Sequence, residues 1–200
     1  LSERVRDLIK ASPLSSSPGK FVGSVADLTT FSFFPTKNIT TAEGGAVAAK
    51  NPETLRRARM FSRQGFERDE TKLTMTDEGP WHQEASLFGL NYRLPDMLAA
   101  LGSSQLKRLP KFIEKRAKLK KLYDEAFSNI LDFETPMQRD EVDPAWHLYP
   151  LRVPSDRRRE IFEFAREANV GVQVNYIPAY WHPAFDQDEY PRGLCPVAAM

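Results

Sequence analysis

The apolar residues of this 200-residue chain occur in short runs, which are separated by turn-forming residues and by amphipathic segments. The longest runs hold only a few residues, whereas a membrane-spanning helix needs about 20 apolar residues. The N-terminal sequence has no apolar core of the kind found in signal peptides. Because 41% of the residues are hydrophobic and 11% are aromatic, the chain can bury a core. We therefore predict a soluble, cytoplasmic protein of mixed helix and strand.

Charge, cysteine content and histidine spacing exclude several classes of protein. The chain has 28 basic and 27 acidic residues, so its net charge of +1 gives no reason to expect a nucleic-acid partner. The single cysteine, Cys195, excludes an internal disulfide and a cysteine-rich zinc site. His82, His147 and His182 are far apart, and none lies four residues from another. We therefore predict neither a metal site nor a nucleic-acid partner.

The N-terminal half of the chain predicts short strands, one helix and a long loop. Valine and phenylalanine residues favour one or two short buried strands within 21–34, and a further strand is predicted at 46–49. The sequence Asn-Pro-Glu at 51–53 combines a capping side chain, a proline in the first turn and a carboxylate. It predicts a helix that runs to about Phe61. Residues 62–90 lack clean periodicity and are predicted to form a long loop.

The C-terminal half predicts an α+β arrangement. Apolar periodicity favours two amphipathic helices, of which the second is strongly basic, and then a strand, a helix and a strand. In chain order these elements are predicted at 95–109, 110–129, 146–153, 155–168 and 171–177. The last strand alternates apolar and polar residues after a glycine, which is typical of a strand with one buried face.

Lys37 is the residue with the clearest potential for chemistry. It follows an aromatic strand and lies in a turn rich in threonine, asparagine and glycine. A lysine that is partly shielded from water can act as a nucleophile and form a Schiff base. Ser32 lies near enough in sequence to offer its hydroxyl to a phosphate, and Gly44 and Gly45 allow close backbone approach. The alternative is an exposed turn lysine, since most lysines are solvated.

Several sequence blocks resemble one known family. The segment SFFPTKNITTAEGGA at 32–46 resembles the lysine motif of the DegT/DnrJ/EryC1/StrS family, which are pyridoxal-phosphate-dependent aminotransferases of nucleotide-linked keto-sugars. Further blocks that resemble the family, in family order, are KFVGSVAD (20–27), GLNYRLPD (89–96), AALGSSQL (99–106), AWHLYP (145–150) and GVQVNYIP (171–178). The resemblance covers about residues 20–200.

The resemblance implies a fold and a domain organisation. The implied fold is α/β and is a partial fold-type I aminotransferase, with part of the large-domain sheet and an α+β small domain. Residues 1–18 are expected to be an atypical N-terminal segment, and 19–90 to be part of the cofactor-binding large domain. Residues 91–130 are then connecting helices, and 131–200 an incomplete small domain.

The resemblance also implies site residues and a reaction. Lys37 is implied to be the Schiff-base lysine and general acid/base, and Ser32 to contact the phosphate of pyridoxal 5'-phosphate. The resemblance implies a homodimer with shared sites, in which Asn91 or Arg93 reaches the cofactor phosphate of the partner subunit. The implied reaction transfers an amino group, with glutamate as donor, to a nucleotide-linked keto-sugar. The amino-sugar product would serve the synthesis of polysaccharides or glycosylated metabolites.

Other polar residues keep two interpretations. Glu43 has either a site role or a turn contact, and His147 and His182 are expected to be structural or substrate-channel residues. Asn175 stands where relatives often carry histidine. Asp7 is an off-register candidate for the carboxylate that pairs with the pyridinium nitrogen.

The resemblance further implies a chain about half as long as full-length members. Without the missing cofactor contacts, catalysis by this chain alone is expected to be weak or absent. The alternative function is therefore a catalytically inactive remnant that acts as a structural or dimerisation module through the helices at 95–129.

Overall fold

The computed structural model describes residues 20–75, 77–186 and 188–199. The predicted atypical segment at 1–18, with Asp7, lies outside the described residues. The described residues form two compact units. The first runs to Leu122 and includes Met137–Tyr149, and the second comprises Tyr123–Pro136 and the residues from Pro150 onward. The domain boundaries predicted from the sequence remain predictions.

The first unit contains a two-stranded antiparallel sheet. Strand β1 is Leu28–Ser32 and strand β2 is Gly45–Ala49, with Ser32 opposite Gly45 at the end where the connecting turn leaves the sheet. Both strands were predicted, but the prediction that the first is buried is wrong, since β1 and β2 carry exposed apolar side chains such as Phe31 and Val47. Among the described residues no further strand joins this sheet, and a two-stranded sheet cannot bury its own faces.

Helix α1, Pro52–Phe61, confirms the helix predicted from its start signal. The Asn51 side chain accepts a hydrogen bond of 2.8 Å from the Glu53 amide, and Pro52 occupies the first turn. The first amide groups of a helix have no partner within it. The Asn51 side chain satisfies one of them, and Pro52 removes another because proline has no amide hydrogen. The helix contacts β2, and Met60 is 5% exposed. Local capping and one apolar face therefore suffice to form this element.

Residues 62–90 form the predicted long loop, with one 3-10 turn at Glu70–Lys72, and the irregular course of the chain continues to residue 95. Two buried carboxylates hold it together. Glu67 accepts hydrogen bonds from the Arg68 and Asp69 amides and pairs with Arg56. Glu84 accepts from the Thr74 amide and hydroxyl, from the Met75 amide and from His82. The loop therefore has its own polar core, which the sequence did not indicate.

Glu84 predicts a measurable acid sensitivity of this loop. The amides of Thr74 and Met75 lower the pKa of the Glu84 carboxyl to about 2 from its ordinary value of 4.5, with His82 acting the same way and burial opposing. Because the unfolded state binds the proton more tightly, the stabilisation is fully present above about pH 4.5 and is lost as the pH falls toward 2. We expect Glu84→Gln to reproduce this loss at neutral pH. The side-chain NH₂ group of glutamine is a donor and would face the backbone amides of Thr74 and Met75, which are donors too.

Hydrogen exchange at Thr74 and Met75 measures the effect. Protection of both amides should fall in Glu84→Gln and remain in the control Glu78→Gln, which changes an exposed residue of the same loop. Equal protection in the two variants would contradict the assigned role of Glu84.

Helix α2, Asp96–Phe127, is one continuous helix of 32 residues with Pro110 inside it. The prediction of two helices, at 95–109 and 110–129, is therefore wrong. Proline lacks the amide hydrogen that would bond one turn back, so it weakens a helix interior. Leucine, lysine, arginine and glutamate flank it, and these strong helix formers carry the helix across the missing hydrogen bond.

The second unit contains helix α3, Arg158–Glu167, and the short helix α4, Pro196–Ala199, with a 3-10 turn at Ala179–Trp181. The strands predicted at 146–153 and 171–177 are not formed as regular strands. In the described part of this unit, strand-like pairing is limited to one bridge, between Glu134 and Arg152, which also form an ion pair of 3.0 Å. An extended segment becomes a strand only where a neighbour pairs with its backbone.

None of the helices that the structure describes combines the length and the apolar character needed to cross a membrane.

Candidate functional site

Lys37 lies in the turn that joins β1 to β2. Backbone hydrogen bonds close this turn, because the Phe33 amide donates to the Gly44 carbonyl at 2.9 Å and the Thr41 amide donates to the Phe33 carbonyl at 3.0 Å. The Lys37 amide itself donates to the Phe34 carbonyl at 2.9 Å. Lys37 is thus held by its backbone in a defined loop, and its side chain is half-buried. The alternative of a fully exposed turn lysine is wrong.

Thr41 anchors the turn against helix α2. Thr41 is 1% exposed, and its hydroxyl donates to the Glu43 carbonyl at 2.8 Å. Gly44 has a φ of +150°, and a Cβ there would meet Leu94 at 2.8 Å, whereas a Cβ on Gly102 of α2 would meet the Thr41 methyl at 2.7 Å. Glycine at both positions therefore permits the close packing of turn and helix. Glu43 makes a turn contact through its carbonyl, and a site role of its side chain remains a prediction.

The Lys37 amine meets the imidazole of His147. The distance from Lys37 Nζ to His147 Nε2 is 3.2 Å, and His147 is half-buried. The segment that carries His147 is fixed to the same unit by two further contacts. Asn38 donates from its side chain to the Ala145 carbonyl at 2.6 Å, and Arg116 of α2 donates to the carbonyls of Trp146 and His147, both at 3.1 Å.

The surroundings of His147 disfavour its charged form. Burial lowers the pKa of the imidazole below its ordinary value of 6.5, and the positive charges of Lys37 and Arg116 lower it further. The Thr36 backbone acts in the opposite direction. Within the described residues, the buried Nδ1 has no hydrogen bond of normal geometry. His147 is therefore a neutral base beside an amine at neutral pH.

Ser32 lies at the end of β1, where the Lys37 turn begins. Its side chain is exposed, and its hydroxyl oxygen accepts a hydrogen bond of 3.4 Å from the Phe34 amide. The turn thus has a hydroxyl at its start and an amine near its middle. The predicted role of Ser32 toward a phosphate remains a prediction.

Asn91 and Arg93 lie on the surface of the first unit, in the irregular segment just before α2. Arg93 Nε donates to Asn91 Oδ1 at 3.0 Å, and Asn91 forms a backbone bridge with Arg63. Both side chains are exposed. In the described part of the chain, no hydrogen bond or ion pair joins either of them to Lys37. Their predicted role at a partner subunit remains a prediction.

The remaining candidates lie elsewhere. Asn175 and His182 belong to the second unit and are exposed, with His182 next to the Ala179–Trp181 turn. Across the described ranges, no group of three or more histidine, cysteine, aspartate or glutamate side chains is arranged to hold a metal ion.

Sequence reasoning missed the partner of Lys37. His147 was assigned a structural or substrate-channel role, and it lies 110 residues from Lys37. Arg116, which holds the backbone of His147, appeared only as one of many basic residues of an amphipathic helix. The sole signal in the sequence was that AWHLYP at 145–150 matched a block of the same family as the lysine motif.

Comparison with known proteins relates the whole described chain to one family. The sequence model of the DegT/DnrJ/EryC1/StrS aminotransferase family matches residues 7–200. This match begins upstream of Gly19, where the motif resemblance starts, and so includes much of the segment predicted to be atypical.

Individual relatives agree with the family match. The chain is 37% identical to the uncharacterized protein MJ1066 of Methanocaldococcus jannaschii, covering 90% of this chain and 48% of that protein. It is 37% identical to a UDP-4-amino-4,6-dideoxy-N-acetyl-beta-L-altrosamine transaminase of Campylobacter jejuni, covering 83% of this chain and 43% of that protein. The chain spans about half the length of the curated relatives it matches.

A solved structure extends the similarity to the fold. The chain matches PseC of Helicobacter pylori, an aminotransferase involved in the biosynthesis of pseudoaminic acid, with a TM-score of 0.73 and 30% identity. The match covers 84% of this chain and 44% of that one. The fold is that of part of a fold-type I aminotransferase, as the sequence predicted.

Proposed function

Because the chain belongs to the DegT/DnrJ/EryC1/StrS aminotransferase family, we propose that it carries the reactive lysine of an aminotransferase that acts on nucleotide-linked keto-sugars. The family depends on pyridoxal 5'-phosphate, and its characterised relatives are sugar aminotransferases. The observation that carries the proposal is the half-buried Lys37 amine, held in a closed turn at 3.2 Å from a neutral imidazole.

The residues around Lys37 fit this cofactor by their chemistry. When bound, pyridoxal phosphate supplies an aldehyde that reacts with amines and a ring that withdraws electrons from the substrate carbon. Lys37 offers a primary amine to the aldehyde, and Ser32 offers an exposed hydroxyl to the phosphate. We propose that these two residues hold the cofactor from this subunit.

Lys37 has two proposed tasks. With the cofactor bound, the amine of Lys37 would hold it, and Nζ would move a proton between two substrate atoms. Both tasks need an amine that stays in one place and can both give and take a proton. The closed turn restrains its backbone, and the Nε2 of His147 lies 3.2 Å from its Nζ.

A homodimer with shared sites is proposed for the whole protein. Phe88, Tyr92 and Met97, which flank Asn91 and Arg93, are all exposed. Large exposed apolar side chains close together are typical of an interface. The planar guanidinium of Arg93 suits a phosphate because its donors form a fixed fork. These features support a role for Asn91 or Arg93 at the partner subunit's cofactor.

The donor and the location are also proposals. We propose glutamate as the amino donor and an amino-sugar linked to a nucleotide as the product, for use in polysaccharide or glycosylated-metabolite synthesis. The cytoplasmic location stays a prediction from the sequence. The competing function, a catalytically inactive structural or dimerisation module, is separated from this one by cofactor binding.

Covalent capture of the cofactor tests the proposal. Pyridoxal phosphate is added to the purified chain, and absorbance is followed at about 330 nm and about 410–430 nm, where this cofactor absorbs. Borohydride then fixes any Schiff base, and mass mapping locates the label. We expect the label on Lys37. Absence of both band and label would favour the inactive structural module.

A further inference from the structure

The contact between Lys37 and His147 has a consequence that goes beyond the proposed function and rests on it. We propose that His147 is a positioning residue for Lys37, in that its Nε2 accepts a hydrogen bond from Lys37 Nζ and fixes the direction of the amine. The imidazole thereby acts on the reaction through the lysine and needs no contact with the sugar.

The donor and acceptor roles follow from the chemistry of the two groups. In the proposed arrangement Lys37 Nζ is the donor, so the His147 Nε2 at 3.2 Å carries the lone pair that accepts. The proton of the neutral ring is then on Nδ1. The other tautomer would place two N–H donors against each other. The pair therefore selects one tautomer of His147.

Several contacts hold the backbone segment that carries His147. Arg116 donates to the carbonyls of Trp146 and His147, and Asn38 donates to the carbonyl of Ala145. Trp146 has a φ of 45°, in the left-handed region, and the Lys120 Nζ lies 4.9 Å from the centre of its ring. Each contact restricts the backbone that carries the ring. The backbone of His147 is therefore tied to the Lys37 turn and to α2.

The charges around the ring keep the acceptor available. The charged groups that face His147 are Lys37 and Arg116, both positive, and together with burial they lower the pKa of the imidazole. Protonation at acid pH would place two cations 3.2 Å apart and break the hydrogen bond. Positioning of Lys37 is thus expected to fail as the pH falls through the pKa of His147.

The first test needs no cofactor. Nitrogen-15 NMR of the histidine rings in the full chain reports the tautomer and the pKa of each histidine. We expect His147 to carry its proton on Nδ1, and Lys37→Met to remove this preference and to raise the pKa of His147. His82 and His182 serve as internal controls that should not change. A His147 spectrum unaffected by Lys37→Met would overturn the proposal.

The second test uses two substitutions that differ in which ring atom they replace. Glutamine can place its side-chain oxygen where Nε2 lies, whereas asparagine reaches only as far as Nδ1. We expect His147→Asn to slow borohydride-fixed capture of pyridoxal phosphate on Lys37 by about tenfold, the effect of losing a hydrogen bond to a charged group. The rate of capture in His147→Gln should stay within about twofold of the rate in the unmodified chain. The fall of this rate at acid pH should disappear, since an amide does not titrate. His182→Gln is the control.

The two proposals fail in different ways. If the unmodified chain captures no cofactor, the proposed function fails, and the NMR result alone decides the role of His147. If Lys37 captures the cofactor but His147→Asn and His147→Gln behave alike, the proposed function stands and the positioning role is overturned.

Discussion

Replacing Lys37 with methionine is expected to abolish both the covalent capture of pyridoxal phosphate and amino transfer to a keto-sugar nucleotide. Methionine keeps the length of the side chain and its apolar stem, so the closed turn should persist. It removes the amine that is proposed to attach the cofactor and to carry the proton. Loss of such a group lowers turnover by about 10³-fold or more. Turnover is measured with the whole enzyme. Capture of pyridoxal phosphate is measured in parallel on this 200-residue chain.

Lys50→Met is the matched control for this substitution. Lys50 comes directly after β2 in the chain. Its amine donates to the Val25 carbonyl at 2.8 Å and pairs with Asp27 at 3.2 Å. It is exposed and forms no part of the proposed site. Capture and turnover should survive in Lys50→Met. Equal loss in both variants, or capture that persists in Lys37→Met, would show that Lys37 is not the reactive lysine.

Gly65→Ala is expected to cause the largest loss of stability. Gly65 follows α1 and has a φ of +85°, a backbone conformation that residues other than glycine rarely adopt. A Cβ at this position would overlap the carbonyl oxygen of Leu87 on the opposite side of the long loop. Strain of the backbone and the steric clash together are expected to cost about 3 kcal/mol or more.

The clash at Gly65 cannot be relieved by a small shift, because hydrogen bonds tie both sides of the loop together. The Gly65 amide donates to the Met60 carbonyl at 2.7 Å, and the Ser86 amide donates to the Gly65 carbonyl at 2.9 Å. Gly89 faces the same place, where a Cβ would meet the Phe61 carbonyl at 2.6 Å. Moving the loop to admit a methyl group would break these bonds.

Urea or thermal unfolding measures the effect, with Gly171→Ala as the control. Nothing lies within 4 Å of a Cβ on Gly171, so this change should alter the free energy of unfolding by less than about 0.5 kcal/mol. If Gly65→Ala is as stable as Gly171→Ala, the described path of the loop is wrong.

Several local features were predictable from the sequence. The capped start of α1, strand β2 and the irregular course of residues 62–95 depend on residues only a few positions apart. Lys37 was singled out by its place between an aromatic strand and a glycine pair, and the structure holds it in a closed turn. Such features depend on local backbone preferences and capping, which the order of residues expresses directly.

Other features depended on groups far apart in the chain. Whether Pro110 ends a helix depends on how well its neighbours sustain the helix, and α2 continues through it. The alternating pattern at 171–177 predicted a strand, but alternation does not ensure that a partner strand is present. Glu84 gave no signal, since its importance comes from the amides of Thr74 and Met75 that surround it.

The sequence by itself determined the family, pointed to Lys37 as the lysine for which the family implies a reactive role, and predicted the local elements around it. Only the tertiary structure decided which group meets the amine, because His147 lies 110 residues away and reaches Lys37 through contacts made by Asn38 and Arg116. Those contacts depend on the path of the whole unit. Local propensity can place a nucleophile in a turn, but an opposing base requires that distant segments pack against that turn.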